Sequence, residues 1–368
     1  MDNDKNILQD NFGRDHAYLR ISLIERCNLR CSYCMPEEGV QLSPKSHLMT
    51  YEEIYEIAKT FVDNGVTKIR LTGGEPLIRK DIPVILEKLA TLPVELSITS
   101  NAVIIDKFID VLKANGVKKI NVSLDSLDEG KFKHITRRHE FKKVYNNILL
   151  LVKEGFTVKV NAVLMKGFND NEIIDFIKFT KDLPISVRFI EFMPFDGNKW
   201  DMSKMVSYAE VMDKVNNAFN ENEIERLQDA PNDTSKNYKI NGYNGSFAII
   251  SSVTNPFCDS CNRLRLTANG QLKNCLFSSG ESDLLTTLRS GKSIEPEAII
   301  IPCPFINLGT DIIVPIIPGL VKETVVPSNS SKVILLFFAL LINSESFSIN
   351  SEKFMLPASF RLGTSISL

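Results

Sequence analysis

Three times in the first half of the chain, a helical pattern ends on a glycine and a short apolar run begins at once: Gly65–Val66, Gly116–Val117 and Gly155–Phe156. Glycine closes helices because it takes positive φ without a Cβ clash. A helix that stops and hands straight over to a strand, repeatedly, constrains the chain to alternating helices and strands. Strands are expected at Tyr18–Ile24, Val66–Leu71, Val94–Thr99, Lys119–Leu124, Thr157–Leu164 and Ile185–Glu191. The connections are too long for hairpins, so the strands should run parallel with helical crossovers. Thr50 with Glu53 forms a capping box ahead of Ile54, Ile57, Ala58, Phe61 and Val62 at helical spacing. Six such units fall short of an eight-stranded barrel. The expected fold is therefore α/β, an incomplete (β/α)6 TIM-like barrel, with function at the strand C-terminal ends.

The organisation along the chain divides into an N-terminal extension (1–15), the partial barrel (16–220), a less regular region (221–297) and an atypical tail (298–368). The tail holds only eight charged residues in 71, with recurrent prolines and no clear helical pattern. That composition suggests a frameshifted or otherwise replaced reading frame, or a disordered segment.

Apolar residues make up 43% of the 368 and charged residues 24%, the balance of a globular protein. The formal net charge is −2. General affinity for nucleic acid is not expected, and any phosphate ligand needs a local set of cations. Met1–Asp15 is polar, and the longest apolar run, Val333–Ile342, is far shorter than the roughly 20 residues that cross a bilayer. A cytoplasmic location is expected, with no membrane partner. In that reducing setting clustered cysteines hold metal or do redox chemistry more often than they form disulfides.

The seven cysteines make two triads and an outlier, Cys303. Cys27, Cys31 and Cys34 follow the first expected strand. Cys258 and Cys261 are joined fourteen residues on by Cys275. Three thiolates on one loop can hold three irons of a [4Fe–4S] cluster and leave the fourth open. Zinc remains the alternative for each triad, although no histidine or fourth cysteine lies near either, and C-x2-C alone is ambiguous.

The spacing C-x3-C-x2-C, with Tyr33 before the last cysteine, resembles the signature of radical S-adenosylmethionine (SAM) enzymes. Thr72-Gly73-Gly74-Glu75-Pro76 resembles that family's glycine-rich motif. The run Phe257-Cys258-Asp259-Ser260-Cys261-Asn262-Arg263-Leu264-Arg265, then Gly270 and Cys275, narrows the likeness. So do Phe12-Gly13-Arg14, Leu19-Arg20-Ile21-Ser22, Cys34-Met35-Pro36 and Arg188–Met193. Together they are similar to the GTP 3′,8-cyclase family of molybdenum cofactor synthesis over roughly residues 10–292.

This resemblance implies two [4Fe–4S] clusters, on Cys27, Cys31 and Cys34 and on Cys258, Cys261 and Cys275. It implies SAM contacts at Tyr33, Gly74, Ser123 and Met193. GTP would be held by Arg20, Arg70, Thr99, Lys159, Arg263, Leu264 and Arg265, with Arg20, Arg263 and Arg265 taking part in catalysis. The implied reaction turns GTP into 3′,8-cyclo-7,8-dihydro-GTP, with an unidentified electron donor and with homodimerisation left open. Family members end in a glycine pair that works in the active site, whereas this chain ends Ser365-Ile366-Ser367-Leu368. Binding without efficient turnover is expected on that account. The family also has glycine after the asparagine where this chain has Asn101-Ala102. The competing readings are another two-cluster radical SAM enzyme, such as a peptide-modifying maturase, and a non-enzymatic iron–sulfur redox protein.

Overall fold

The computed structural model describes residues 8–10, 13–35, 42–194, 201–275, 282–294, 305–307 and 313–315. Cys303 and almost all of the 298–368 tail lie outside these. The chain divides into two compact units, Met1–Pro304 and Phe305–Leu368. In the second, Phe305–Asn307 pairs antiparallel with Ile313–Pro315.

The first unit carries β1 (Tyr18–Ser22), α1 (Tyr51–Asp63), β2 (Lys68–Thr72), α2 (Ile82–Leu89), β3 (Glu95–Ser100), α3 (Ile109–Ala114) and β4 (Lys119–Ser123). It continues with α4 (Glu129–Thr136), α5 (Phe141–Lys153), β5 (Thr157–Leu164), α6 (Ile173–Phe179), β6 (Ser186–Glu191) and α7 (Tyr208–Ala218). Beyond these lie β7 (Ile224–Arg226), β8 (Lys236–Ile240), β9 (Ser246–Ile250), β10 (Arg263–Leu266), β11 (Gln271–Lys273), β12 (Ser282–Asp283) and α8 (Leu284–Arg289). The six expected strands are β1 to β6, parallel and in sequence order. Thr50 caps α1 with the reciprocal bonds of a capping box, 3.2 Å from the Glu53 amide and 2.8 Å back to the Glu53 carboxylate. Gly65, Gly116 and Gly155 take φ of 107°, 70° and 82°, the left-handed conformation that glycine tolerates.

The less regular region, 221–297, extends this same sheet at both sides. β9 runs parallel beside β6, with β8 and β7 added antiparallel. β10 runs parallel along the outer side of β1, with β11 and β12 beyond it. The order β12-β11-β10-β1-β2-β3-β4-β5-β6-β9-β8-β7 is open, so the barrel is incomplete.

Strand alternation sorts the side chains. Leu19, Ile21, Ile69, Leu71, Ile120, Val122, Val158, Val160, Val187, Phe189, Leu264 and Leu266 are buried in the main hydrophobic core. Fully burying each such side chain contributes about 1.5–3 kcal/mol. The intervening residues, Arg20, Arg70, Thr99, Asn121, Asn161, Arg188 and Arg265, occupy the opposite, concave face. One side of the sheet makes the core and the other makes the site.

Candidate active site

The loop after β1 carries the first triad. Backbone bonds hold it: Arg30 N–H to the Thr136 carbonyl at 3.0 Å, and Ser32 N–H to the Ile135 carbonyl at 2.9 Å. The C-terminal end of α4 therefore anchors the triad. Cys27 and Cys31 are half-buried and Cys34 is exposed; none is in a disulfide. Burial pushes the Cys31 thiol well up, and the nearby Asp125 carboxylate and the Cys34 and Cys27 thiols add to the effect. The three sulfurs thus share one electrostatic neighbourhood. Among the described residues, no three His, Cys, Asp or Glu side chains converge as a single ion requires. Three thiols spread along a loop suit a cluster in which each binds its own iron. Tyr33 donates to Asp125 Oδ2 at 2.8 Å, and Val163 N–H donates to the same carboxylate at 2.9 Å. Burial carries Asp125 up to about 6 despite these two donors.

The glycine-rich turn after β2 packs directly on the cysteine loop. Gly74 N–H donates to the Ile24 carbonyl and Glu75 N–H to the Arg26 carbonyl, at 2.6 and 2.8 Å. A Cβ on Gly74 would sit 2.0 Å from the Arg26 carbonyl oxygen, and one on Gly73 would sit 2.6 Å from that of Ile24. The glycines thus permit a backbone-to-backbone approach between the two motifs. Glu75 is 1% exposed. It accepts from Ser100 Oγ at 2.8 Å, Asn101 N–H at 2.7 Å and Leu77 N–H at 3.1 Å. Burial raises it to about 7.

Above the concave face lies a cavity of about 280 Å³. Arg20, Arg70, Thr99, Met193, Arg263, Arg265, Cys258, Cys261 and Cys275 line it. The register aligns Arg265, Arg20 and Arg70 on three adjacent strands. Neighbouring strands lie about 4.8 Å apart, so this is a row of like charges. Burial, then Arg20 and Arg263, bring Arg265 down to about 9. Burial is also the first cause holding Arg70 at about 10 and Lys159 at about 8. Among the described residues, nothing hydrogen-bonds the buried Nε of Arg20, Arg188 and Arg263 or Nη2 of Arg263. The Arg263 guanidinium lies over the Phe257 ring, 4.9 Å from its centroid. Such a layer is costly while empty and suited to a compact polyanion.

The second triad sits at the rim. Cys258 begins a short 3-10 turn and Cys275 follows β11. Arg14 from the N-terminal segment donates to the Cys258 carbonyl and pairs with Asp10. Glu191, 2% exposed at the end of β6, accepts from the amides of Val253 and Thr254 at 2.8 and 3.0 Å and fixes the approach to Cys258.

Other residues named from the sequence lie elsewhere. Tyr33, Gly74 and Ser123 lie outside the cavity lining, Tyr33 within the first cysteine loop and Gly74 packed against it. Lys159 occupies the concave face two residues before the lining Asn161. Leu264 is fully buried, its side chain opposite to those of Arg263 and Arg265. The cavity also takes in Arg14, His16, Asn121, Asn161, Arg188 and Ser252, which sequence reasoning had not placed there. A signal existed for three of them: Asn121, Asn161 and Arg188 are polar residues at alternate positions in otherwise apolar strands.

A family profile described as Radical SAM superfamily matches residues 21–180, and one described as Molybdenum Cofactor Synthesis C matches residues 185–300. The chain is 52% identical over 292 residues to "GTP 3′,8-cyclase, mitochondrial" of Arabidopsis thaliana, covering 78% of this chain and 74% of the relative. It is 44% identical over 292 residues to "GTP 3′,8-cyclase" of Thermodesulfovibrio yellowstonii, covering 78% and 90%. With "Molybdenum cofactor biosynthesis protein 1" of Bos taurus it shares 50% identity, but spans only 46% of that longer protein. Among solved structures, Streptococcus suis SuiB bound to S-adenosylmethionine superposes with a TM-score of 0.53 at 18% identity, covering 74% of this chain and 65% of that one. Native anSMEcpe with bound AdoMet gives 0.51 at 18%, covering 77% and 83%. These last two share the fold. High identity across most of the length of the plant and bacterial relatives, together with both family profiles, shows that the chain belongs to the GTP 3′,8-cyclase family within the radical SAM superfamily.

Proposed function

We propose that this protein is a radical SAM GTP 3′,8-cyclase, forming 3′,8-cyclo-7,8-dihydro-GTP for molybdenum cofactor synthesis. The observation that carries the reading is the aligned row Arg265, Arg20 and Arg70, joined in the cavity by Arg263 and Arg188. A triphosphate satisfies such a set, whereas a neutral peptide or a simple electron carrier has no use for it. Planar guanidinia offer paired, charge-assisted bonds to phosphate oxygens. Thr99 completes the polar wall, and Lys159 flanks it on the same face of the sheet.

Cys27, Cys31 and Cys34 are assigned to a [4Fe–4S] cluster, with SAM against Tyr33, Gly74, Ser123 and Met193. When bound and reduced, that pair supplies a 5′-deoxyadenosyl radical. Cys258, Cys261 and Cys275 are assigned to a second [4Fe–4S] cluster, whose thiols border the same cavity as the arginines. The protein's own part is to fix the triphosphate, orient the ribose and purine between the two triads, and keep water from the reacting atoms. Arg20, Arg263 and Arg265 act at the substrate in this scheme. Leu264 contributes as a buried strand residue that presents the arginines flanking it.

The electron donor is a separate component in this proposal, and self-association is left to measurement. The test is anaerobic reconstitution and iron counting, followed by incubation with SAM, dithionite and GTP. About eight irons per chain and a cyclised GTP product by mass spectrometry are expected. About four irons, or 5′-deoxyadenosine without any GTP-derived product, would overturn the reading.

A further inference from the structure

Asn101 occupies a special place between the glycine-rich turn and the first triad. Its backbone N–H donates to Glu75 Oε2 at 2.7 Å. Its side-chain oxygen accepts from Val103 N–H at 3.0 Å. Since an N–H must meet an acceptor, this second bond fixes which end of the amide is oxygen. The NH2 end is thereby directed to Asn28 Oδ1 at 2.7 Å and to Cys27 Sγ at 3.6 Å. Leu29 N–H reaches the same sulfur at 3.4 Å. The carboxylate behind Asn101 is itself held by Ser100 and Leu77. The residue is thus pinned at both ends, and its one remaining donor faces a thiol of the triad.

We propose that Asn101 is a positioning residue that sets the reduction potential of the first cluster through an N–H···S bond to Cys27. The proposal rests on the assignment of Cys27 as an iron ligand. A donor on a ligand sulfur withdraws negative charge from the cluster and favours the reduced state. Cys27 Sγ thereby meets two donors, the Leu29 amide and the Asn101 side chain. Glu75, far from any bulk water, is the brace that keeps this donor aimed.

The experiment uses the full-length reconstituted protein. Asn101→Ala removes the donor, and Asn101→Asp keeps the shape while placing a carboxylate oxygen against the sulfur. The readouts are iron content, the electron paramagnetic resonance spectrum of the reduced cluster, and its midpoint potential by dye titration. The signal that shifts on adding SAM identifies the first cluster. Both variants should keep parental iron content, show an altered spectrum and have a more negative potential, with Asp shifted further than Ala. An unchanged potential in both would overturn the proposal. So would parallel loss of iron from both, which would make Asn101 a support of the loop alone. Cys27→Ala separates the two layers of the argument. If it retains the SAM-responsive signal, the ligand assignment fails; if it loses that signal while the Asn101 variants match the parent, only the role of Asn101 fails.

Discussion

Replacing Arg265 by methionine should stabilise the empty protein and weaken its hold on GTP. The side chain is half-buried in the cavity wall and brought down to about 9, first by desolvation and then by Arg20 and Arg263. At about 1.4 kcal/mol per tenfold change, and allowing for water entering the cavity, keeping it charged costs on the order of 3 kcal/mol. A base whose folded value lies below its unfolded one costs the full amount at pH below about 9 and progressively less as the pH rises further. Methionine removes the charge and keeps an apolar stem, so a gain of about 1–3 kcal/mol is expected at neutral pH after some packing loss. In thermal unfolding that is a rise of about 2–8 °C. A lost charge-assisted contact to a phosphate is worth about 1.5–3 kcal/mol, roughly ten- to a hundredfold in affinity. The parent should therefore overtake the variant as GTP is added, since ligand stabilisation grows with the logarithm of concentration over Kd. The assay is differential scanning fluorimetry against a GTP series, with calorimetric Kd values, on preparations of matched iron content. Arg265→Lys keeps the charge without the planar fork and should lose GTP affinity with no gain in stability. Guanosine, lacking phosphates, should bind both variants as it binds the parent. A methionine variant less stable than the parent when empty, or with unchanged GTP affinity, would refute the reasoning.

Lys159 is held at about 8 by burial and then by the charge of Arg188. GTP affinity should be flat below about pH 7.5 and fall by up to about tenfold per pH unit as the pH rises through 8; Lys159→Arg should flatten the curve, and a flat parental curve excludes the lysine from phosphate binding. Gly74→Ala would set a Cβ 2.0 Å from the Arg26 carbonyl oxygen, so chemical denaturation should report a loss of more than about 3 kcal/mol or no folded protein; a neutral substitution would contradict the close packing of the two motifs. Ala102 is buried with φ of 60°, so Ala102→Gly should gain about 0.5–1 kcal/mol by the same measurement, and a loss would mean that burial of the Ala102 methyl outweighs the strain relieved.

The alternation of β1 to β6 was legible because each helix end carries its own glycine and each strand its own apolar run. The cysteine and glycine motifs were legible because their chemistry is local. What the sequence hid is pairing between distant segments. Arg263-Leu264-Arg265-Leu266 reads locally as a strand with charges on one face, yet nothing local says that its partner is β1. The same holds for β9, which lies beside β6 only once α7 and the β7–β8 ribbon have turned the chain back. Gly74 was expected as a SAM contact, and the structure adds that its lack of a Cβ permits the close approach to the Arg26 backbone. Arg188 stood inside a quoted motif, and its inward aim followed from Val187 and Phe189 on either side. Strand parity, applied to every parallel strand, would have placed it in the cavity.

The partnership of β1 with β10 also bears on how the molecule is made. On the ribosome, β1 emerges early and finds β2 within about fifty residues, but its other edge waits for a strand more than two hundred residues further on. Throughout that interval an open edge stands beside the nascent cysteine loop, a template for wrong pairing. Arg20 and Arg70 meet as soon as β1 pairs with β2, and the repulsion that Arg263 and Arg265 add is deferred to the final stage of assembly. A chain stopped before residue 263 would hold the first triad on a sheet whose substrate wall lacks Arg263 and Arg265. Such a fragment would gather iron with only part of the cation set that meets the polyanion, which ties completion of the wall to synthesis of β10.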